Sequence, residues 1–133
     1  MRMTKDAWND RMAGTVFLRK LCEGLPSLKN ITIPTILFYN YGETIDIDVL
    51  VEISSKIKNW DSFSHVSIKF RLNLIEQIRF VKFSPTAKCD VSIFQTGHVF
   101  TFRVERDLDC QIDAAACQVC DVSGRHVDFN QIP

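Results

Sequence analysis

The stretch Ser92–Val104, SIFQTGHVFTFRV, restricts the fold of this chain more than any other. It reads as a β-hairpin, with β-branched and aromatic residues on both arms and a Thr-Gly-His turn between them. Phe94, Phe100 and Phe102 share one sequence parity, and Ile93, Val99, Thr101 and Arg103 share the other. A strand with one face in water alternates apolar with polar residues. Here both parities are apolar, so both faces are expected to meet something other than water. One is the core. A bare apolar face is unusual on a soluble monomer, so the other calls for an occupant: a second copy, a partner protein, the chain's own N-terminal helix, or nucleic acid.

The flanking segments set the expected layers. Thr4–Glu23 reads as a helix, with Thr4 as cap and Trp8, Met12, Val16 or Ala13, Phe17 and Leu21 at helical spacing. Gly24 and Pro26 end it. NITIPTILFY, Asn30–Tyr39, reads as a strand, and Pro34 inside it calls for an edge position or a bulge. Ile45–Lys58 opens with strand-like alternation, IDIDV, but Leu50 breaks it. Ile47, Leu50, Val51, Ser54 and Ile57 fit a helix capped by Thr44, and helix is the reading taken. Strands are then expected over His65–Leu72, Ile75–Phe83, Cys89–Phe94 and His98–Val104, and a last helix from Asp107 to the Ser123-Gly124 stop. Helices segregated from a run of antiparallel strands mean an α+β fold, a curved antiparallel sheet with helices on one face. The expectation is one domain over 1–133: an N-terminal helix in 1–26, a sheet with an inserted helix in 27–106, and a C-terminal helix and tail in 107–133.

Composition narrows the classes. With 133 residues, 46% apolar and 24% charged, the chain is long enough for a core without staples. It has no apolar run of membrane-span length and no secretory h-region in MRMTKDAWNDRM, so no membrane partner is expected. Five cysteines at irregular spacing fit reduced thiols in nucleus or cytoplasm better than a disulfide framework. Net charge is zero, which argues against a simple nucleic-acid coat. The segment Ser64–Arg106 nevertheless holds more Lys and Arg than acid.

Several short motifs resemble one repeat of the TATA-box-binding protein family: Asn30 at a strand start, YGETIDIDVLVEI, VKFSPTAK, and the hairpin IFQTGHVF. The resemblance spans most of the chain, as one repeat where that family carries two. It implies a concave sheet laid on a DNA minor groove with phenylalanines wedged between base steps. Carried over by position, Phe94 is a wedge, Ile75 falls where the second wedge stands, Thr96 and Phe100 line the groove, and Asn30 bonds base edges. His98 takes the place of a phosphate-binding Lys, with Arg79, Lys82, Lys88 and Arg103 as further phosphate contacts. Phe102 departs from the pattern, standing where the family has a small Thr. A single repeat has to dimerise to make a saddle. The resemblance thus implies a transcription-factor-like protein on double-stranded DNA, a homodimer or bound to a protein partner. A small, lone repeat of this kind would suit a large DNA virus. The alternative is a protein–protein adaptor that keeps the fold, uses the apolar face for self-association or a partner, and binds no DNA.

CQIDAAACQVC with His126 gathers Cys110, Cys117, Cys120 and His126 in one region, a donor set that zinc accepts. With no second Cys-x-x-Cys pair, small thiols on a packed helix face is the reading preferred. His65, His98 and His126 are scattered, and no nucleophile elbow, P-loop, dinucleotide motif or HExxH occurs. The expectation is a non-enzymatic protein with no cofactor.

Overall fold

A computed structural model describes residues 3–9, 11–21, 24–52 and 64–125. Among these, seven strands form one antiparallel sheet: β1 Thr4–Asp6, β2 Thr32–Tyr39, β3 Thr44–Glu52, β4 His65–Lys82, β5 Cys89–Thr96, β6 Val99–Arg106 and β7 Asp109–Arg125. Their order across the sheet is β1-β5-β6-β7-β4-β3-β2. The one helix among the described residues is α1, Val16–Leu21. The α+β expectation, and with it the single repeat of the TATA-box-binding fold, is therefore overturned: the described residues are mostly one open antiparallel sheet with a single short helix. The transcription and viral-origin expectations rested on that repeat and go with it.

Each lost helix has a local cause. Of the expected Thr4–Glu23 helix, Val16–Leu21 forms; ahead of it, short polar side chains bind nearby backbone and compete with helical bonding. Asp6 Oδ1 accepts the Trp8 N–H (3.0 Å), Asn9 Oδ1 accepts the Arg11 N–H (2.9 Å), and the Asn9 amide donates to the Asp6 carbonyl (2.7 Å). Gly14 then takes φ +89, and a Cβ built on it would lie 1.8 Å from the Val119 carbonyl oxygen, so the chain crosses β7 there at backbone distance. In β3, Ile45, Ile47, Val49 and Val51 face the core, but Thr44, Asp46 and Leu50 on the other parity are buried too. A strand buried on both sides loses its two-residue period and passes for a helix. The expected C-terminal helix is β7, in which Cys110, Ile112, Ala114, Cys117 and Val119 are buried along one face. Its alanines are poor strand formers in isolation, but Ala114 sits opposite Phe100, where a small side chain leaves room for the ring.

β2 meets the expectation for Asn30–Tyr39: it pairs along one edge with β3, and its register shifts between Thr32 and Thr35, around Pro34. The strands expected on either side of residue 74 are one long strand, β4, bent rather than broken. Leu74 has φ 56, and the β4–β7 ladder shifts register at Lys69/Phe70, Ile75/Gln77 and Phe80/Lys82. Bulges bend a strand and increase its twist. The sheet therefore curls until its two halves face each other across a shared core. Phe70 on β4 and Phe102 on β6 are not ladder partners, yet their rings meet edge-on at 5.5 Å, and Trp8 meets Phe70 at 5.3 Å. One isolated bridge, Ile31 to Cys89, ties the lead into β2 to the start of β5. Met12, Leu18 and Leu28 join the buried cluster from the N-terminal segment.

Candidate functional site

The hairpin expected from the sequence is present, as β5 and β6, but its phenylalanines part company. The register pairs Thr96 with Val99, Gln95 with Phe100, Phe94 with Thr101 and Ile93 with Phe102. Directly opposed residues point to the same face, so an even-numbered residue on β5 shares a face with an odd-numbered one on β6. Phe100 and Phe102 turn inward with Ile93, whereas Phe94 turns outward with Thr101. Phe102 is 1% exposed and belongs to the core. Phe100 is half-buried and packs against the core, as does Ile75 on β4. No row of phenylalanines faces solvent from this hairpin.

The other anticipated contact residues are spread over the molecule and occupied by their neighbours. The Thr96 hydroxyl lies 2.8 Å from that of Thr4, which holds β1 on β5. The Asn30 backbone N–H donates to Asp90 Oδ1 (2.8 Å), and Arg106 donates to the Asn30 side-chain oxygen (3.1 Å). The Asn30 bond, with the Arg106 guanidinium, holds the Asp90 carboxyl below its usual range. Arg79 lies 3.3 Å from Asp109, Arg103 lies 2.7 Å from Glu105, and His98 in the turn lies 3.7 Å from Glu76. Lys82 is exposed opposite Asp109, and Lys88 is half-buried before β5. The cations are interleaved with acids rather than gathered into a stripe.

The thiols do not meet either. Cys110 and Cys117 are buried on the inner face and Cys120 is exposed, while His126 lies outside the described residues. Burial pushes the Cys117 thiol up to about 12, and burial with the neighbouring Asp90 pushes Cys89 up to about 11. Both are therefore protonated near neutrality, the wrong state for a nucleophile. Among the described residues no group of three or more His, Cys, Asp or Glu is placed to hold a metal ion.

One polar cluster is well built. On the outer face, Arg71 Nε and Nη2 donate to Asp46 Oδ1 and Oδ2 at 2.9 and 3.0 Å, and the Tyr39 hydroxyl donates to Oδ1 at 3.1 Å. Burial raises the Asp46 pKa, but the bonds from Arg71 and Tyr39 outweigh it and hold the carboxyl below its ordinary value. Asp46 and Arg71 stand directly opposite each other on β3 and β4. This is a bidentate cross-strand clasp, and it fastens the sheet.

The surface that stands out is the distal half of β4. Over 65–73 that strand is paired on both edges, with β3 and β7. Over 74–82, among the described residues, β7 is its only strand partner. This half carries Leu74, Ile78, Phe80 and Val81, with Phe83 just beyond, all from 39% to 64% exposed. Ile78 and Phe80 lie opposite Ile112 and Cys110, on the core face of the sheet. Phe38 from β2 is 46% exposed and meets Phe80 edge-on at 5.8 Å. The core face thus runs past its cover into solvent at these rings. The sequence held a signal for this in LIEQIRFVKF, where apolar residues fall on both parities, but the same pattern marks a doubly buried strand. Only the missing neighbour tells them apart.

No helix among the described residues is long and apolar enough to cross a membrane, which says nothing of strands. No family model, no curated protein and no solved structure matches this chain.

Proposed function

We propose that this chain is a non-enzymatic protein-interaction module whose working surface is the distal half of β4, Leu74–Phe83. The observation that carries the reading is a half-strand whose edge beyond Ile75 has no strand partner among the described residues, with large exposed apolar side chains on it. An unpaired strand edge presents backbone donors and acceptors, which another strand satisfies. Apolar side chains on the same stretch add area that water disfavours. Of the hairpin rings that prompted an interaction role from sequence, Phe100 and Phe102 turn inward and leave Phe94 alone on the outer face, so the role passes to β4 while its chemistry stays the same. Four described cysteines are free thiols, in keeping with a reducing intracellular compartment. Minor-groove DNA binding has no comparable support: its wedge residues do not share a face, and Arg79, His98 and Arg103 lie beside acids.

A photo-reactive residue in place of Val81 tests the proposal, with one in place of Ser92, exposed on β5, as control. On irradiation in cells the Val81 position yields a discrete protein adduct that Phe80→Lys suppresses, and the Ser92 position yields none. Equal adducts from both positions, or none from either, refute it.

A further inference from the structure

We infer that the partner of β4's distal half is a second copy of the same chain, joined edge to edge and antiparallel across a two-fold axis. This rests on the interaction reading above and names its occupant.

An antiparallel pairing of a strand with itself is isologous, so one patch serves both copies. The two-fold axis stands perpendicular to the joined sheet, so the inner face of one copy continues into the inner face of the other. Only registers that set inner residues opposite inner residues are allowed. Along the regular stretch Gln77–Phe80, Ile78 and Phe80 are inner and Gln77 and Arg79 are outer. The four residues of that stretch offer four centres. Centred on Gln77, Ile78 falls opposite Glu76 of the second copy and Arg79 opposite Ile75. Centred on Ile78, Phe80 falls opposite Glu76 of the second copy. Centred on Phe80, Ile78 falls opposite Lys82. Centred on Arg79, Ile78 falls opposite Phe80, Gln77 opposite Val81, and Glu76 opposite Lys82, each twice.

The last register alone sets acid against base, and it sets Ile78 against Phe80; the Ile78- and Phe80-centred registers pair one apolar residue with itself but set the other against a charge. Glu76 and Lys82 flank the regular stretch beside the bulges at Ile75/Gln77 and Phe80/Lys82. Their long side chains reach across even diagonal positions, so the bulges do not separate them. The Arg79 pair on the axis is eased by Asp109, which lies 3.3 Å from each Arg79 within its own chain. Charges on an exposed edge normally block promiscuous strand addition. Here they oppose the Gln77-, Ile78- and Phe80-centred registers, each of which sets a charge against an apolar residue, and leave one open. The contact is a half-strand long, at the small end of specific interfaces, so the dimer is weak and concentration-dependent.

Sedimentation velocity over a concentration series tests this with charge reversals at exposed positions. The unmodified chain moves toward the mass of two chains as concentration rises. E76K and K82E each sediment as one chain, because like charges now face each other twice. An equimolar mixture of E76K and K82E regains the two-chain mass, and so does the double variant E76K/K82E. A mass of one chain throughout the unmodified series overturns the inference, as do single reversals that associate as well as the parent. One-chain mass together with a Val81 adduct to a different polypeptide removes self-pairing and leaves the interaction reading standing. One-chain mass with no adduct removes both.

Discussion

Replacing Phe102 by Ala, compared with replacing Phe94 by Ala, tests how the hairpin is seated. Phe102 is 1% exposed and touches Phe70 edge-on at 5.5 Å across the core. Truncating a buried phenylalanine removes its transfer free energy and leaves a cavity, together about 3–5 kcal/mol. The ring pair with Phe70 contributes about 1 kcal/mol within that range. Phe70 is itself wedged between Trp8 and Phe102, so neighbours on both sides restrict collapse into the void. A loss of about 4 kcal/mol is expected, which for a chain of this size lowers Tm by about 15 °C. Phe94 is half-buried on the outer face opposite Asp6 and Thr101, and its truncation costs about 1–2 kcal/mol. Urea unfolding followed by tryptophan fluorescence gives both values, with the m-value as a check on two-state behaviour. If Phe94→Ala costs as much as Phe102→Ala, the two rings share the core. The register that separates them, and with it the loss of the phenylalanine face, is then refuted.

Three further outcomes are expected. Gly14→Ala forces a Cβ against the Val119 carbonyl at a φ of +89 and disturbs the Val119-to-Ala13 backbone bond, so it destabilises by about 3 kcal/mol in thermal melts; a loss under about 1 kcal/mol contradicts that close approach. Asp46→Asn removes the charge from the bidentate clasp and costs about 2 kcal/mol at neutral pH. Because the Asp46 pKa is lowered on folding, its contribution is present above the unfolded carboxylate pKa and fades as pH falls through the folded one; parent and variant melts therefore converge in acid, and a gap that persists there contradicts the assignment. Among Cys89, Cys110, Cys117 and Cys120, a thiol reagent modifies only the exposed Cys120 in the native chain, and the other three react on unfolding; rapid native labelling of Cys117, held up near 12 by burial, contradicts its placement.

The chain's local chemistry was legible where one signal acted alone. Pro34 marked an edge strand and its bulge, Gly97 marked the hairpin turn, and the strands around Phe70, Ile93 and Phe102 were visible in their β-branched and aromatic content. Reading failed where tertiary burial erased a period or created one. In Ile45–Glu52 the buried Leu50 stands on the parity otherwise held by acids, and that one break in the alternation resembles a helix. The alanines of β7 look helical until Phe100 is found opposite them. Parity misled at the hairpin, because whether Phe94 joins Phe100 depends on a turn register that a single residue reverses.

What stands exposed could not be read from sequence at all. LIEQIRFVKF specifies a strand with two apolar faces, and this much follows from its side chains. Whether those faces are buried depends on whether a neighbour strand reaches them. β3 ends its pairing at Asn73, and the sheet bends at Leu74 with a positive φ and a bulge beside it. Residue types determined by themselves the strands around Phe70, Ile93 and Phe102 and more apolar strand than one face can hide, but not that the expected inserted and C-terminal helices are strands. Curling the sheet decided which of that apolar surface is core and which is left at an edge, because burial is a property of the space between strands that no single strand encodes.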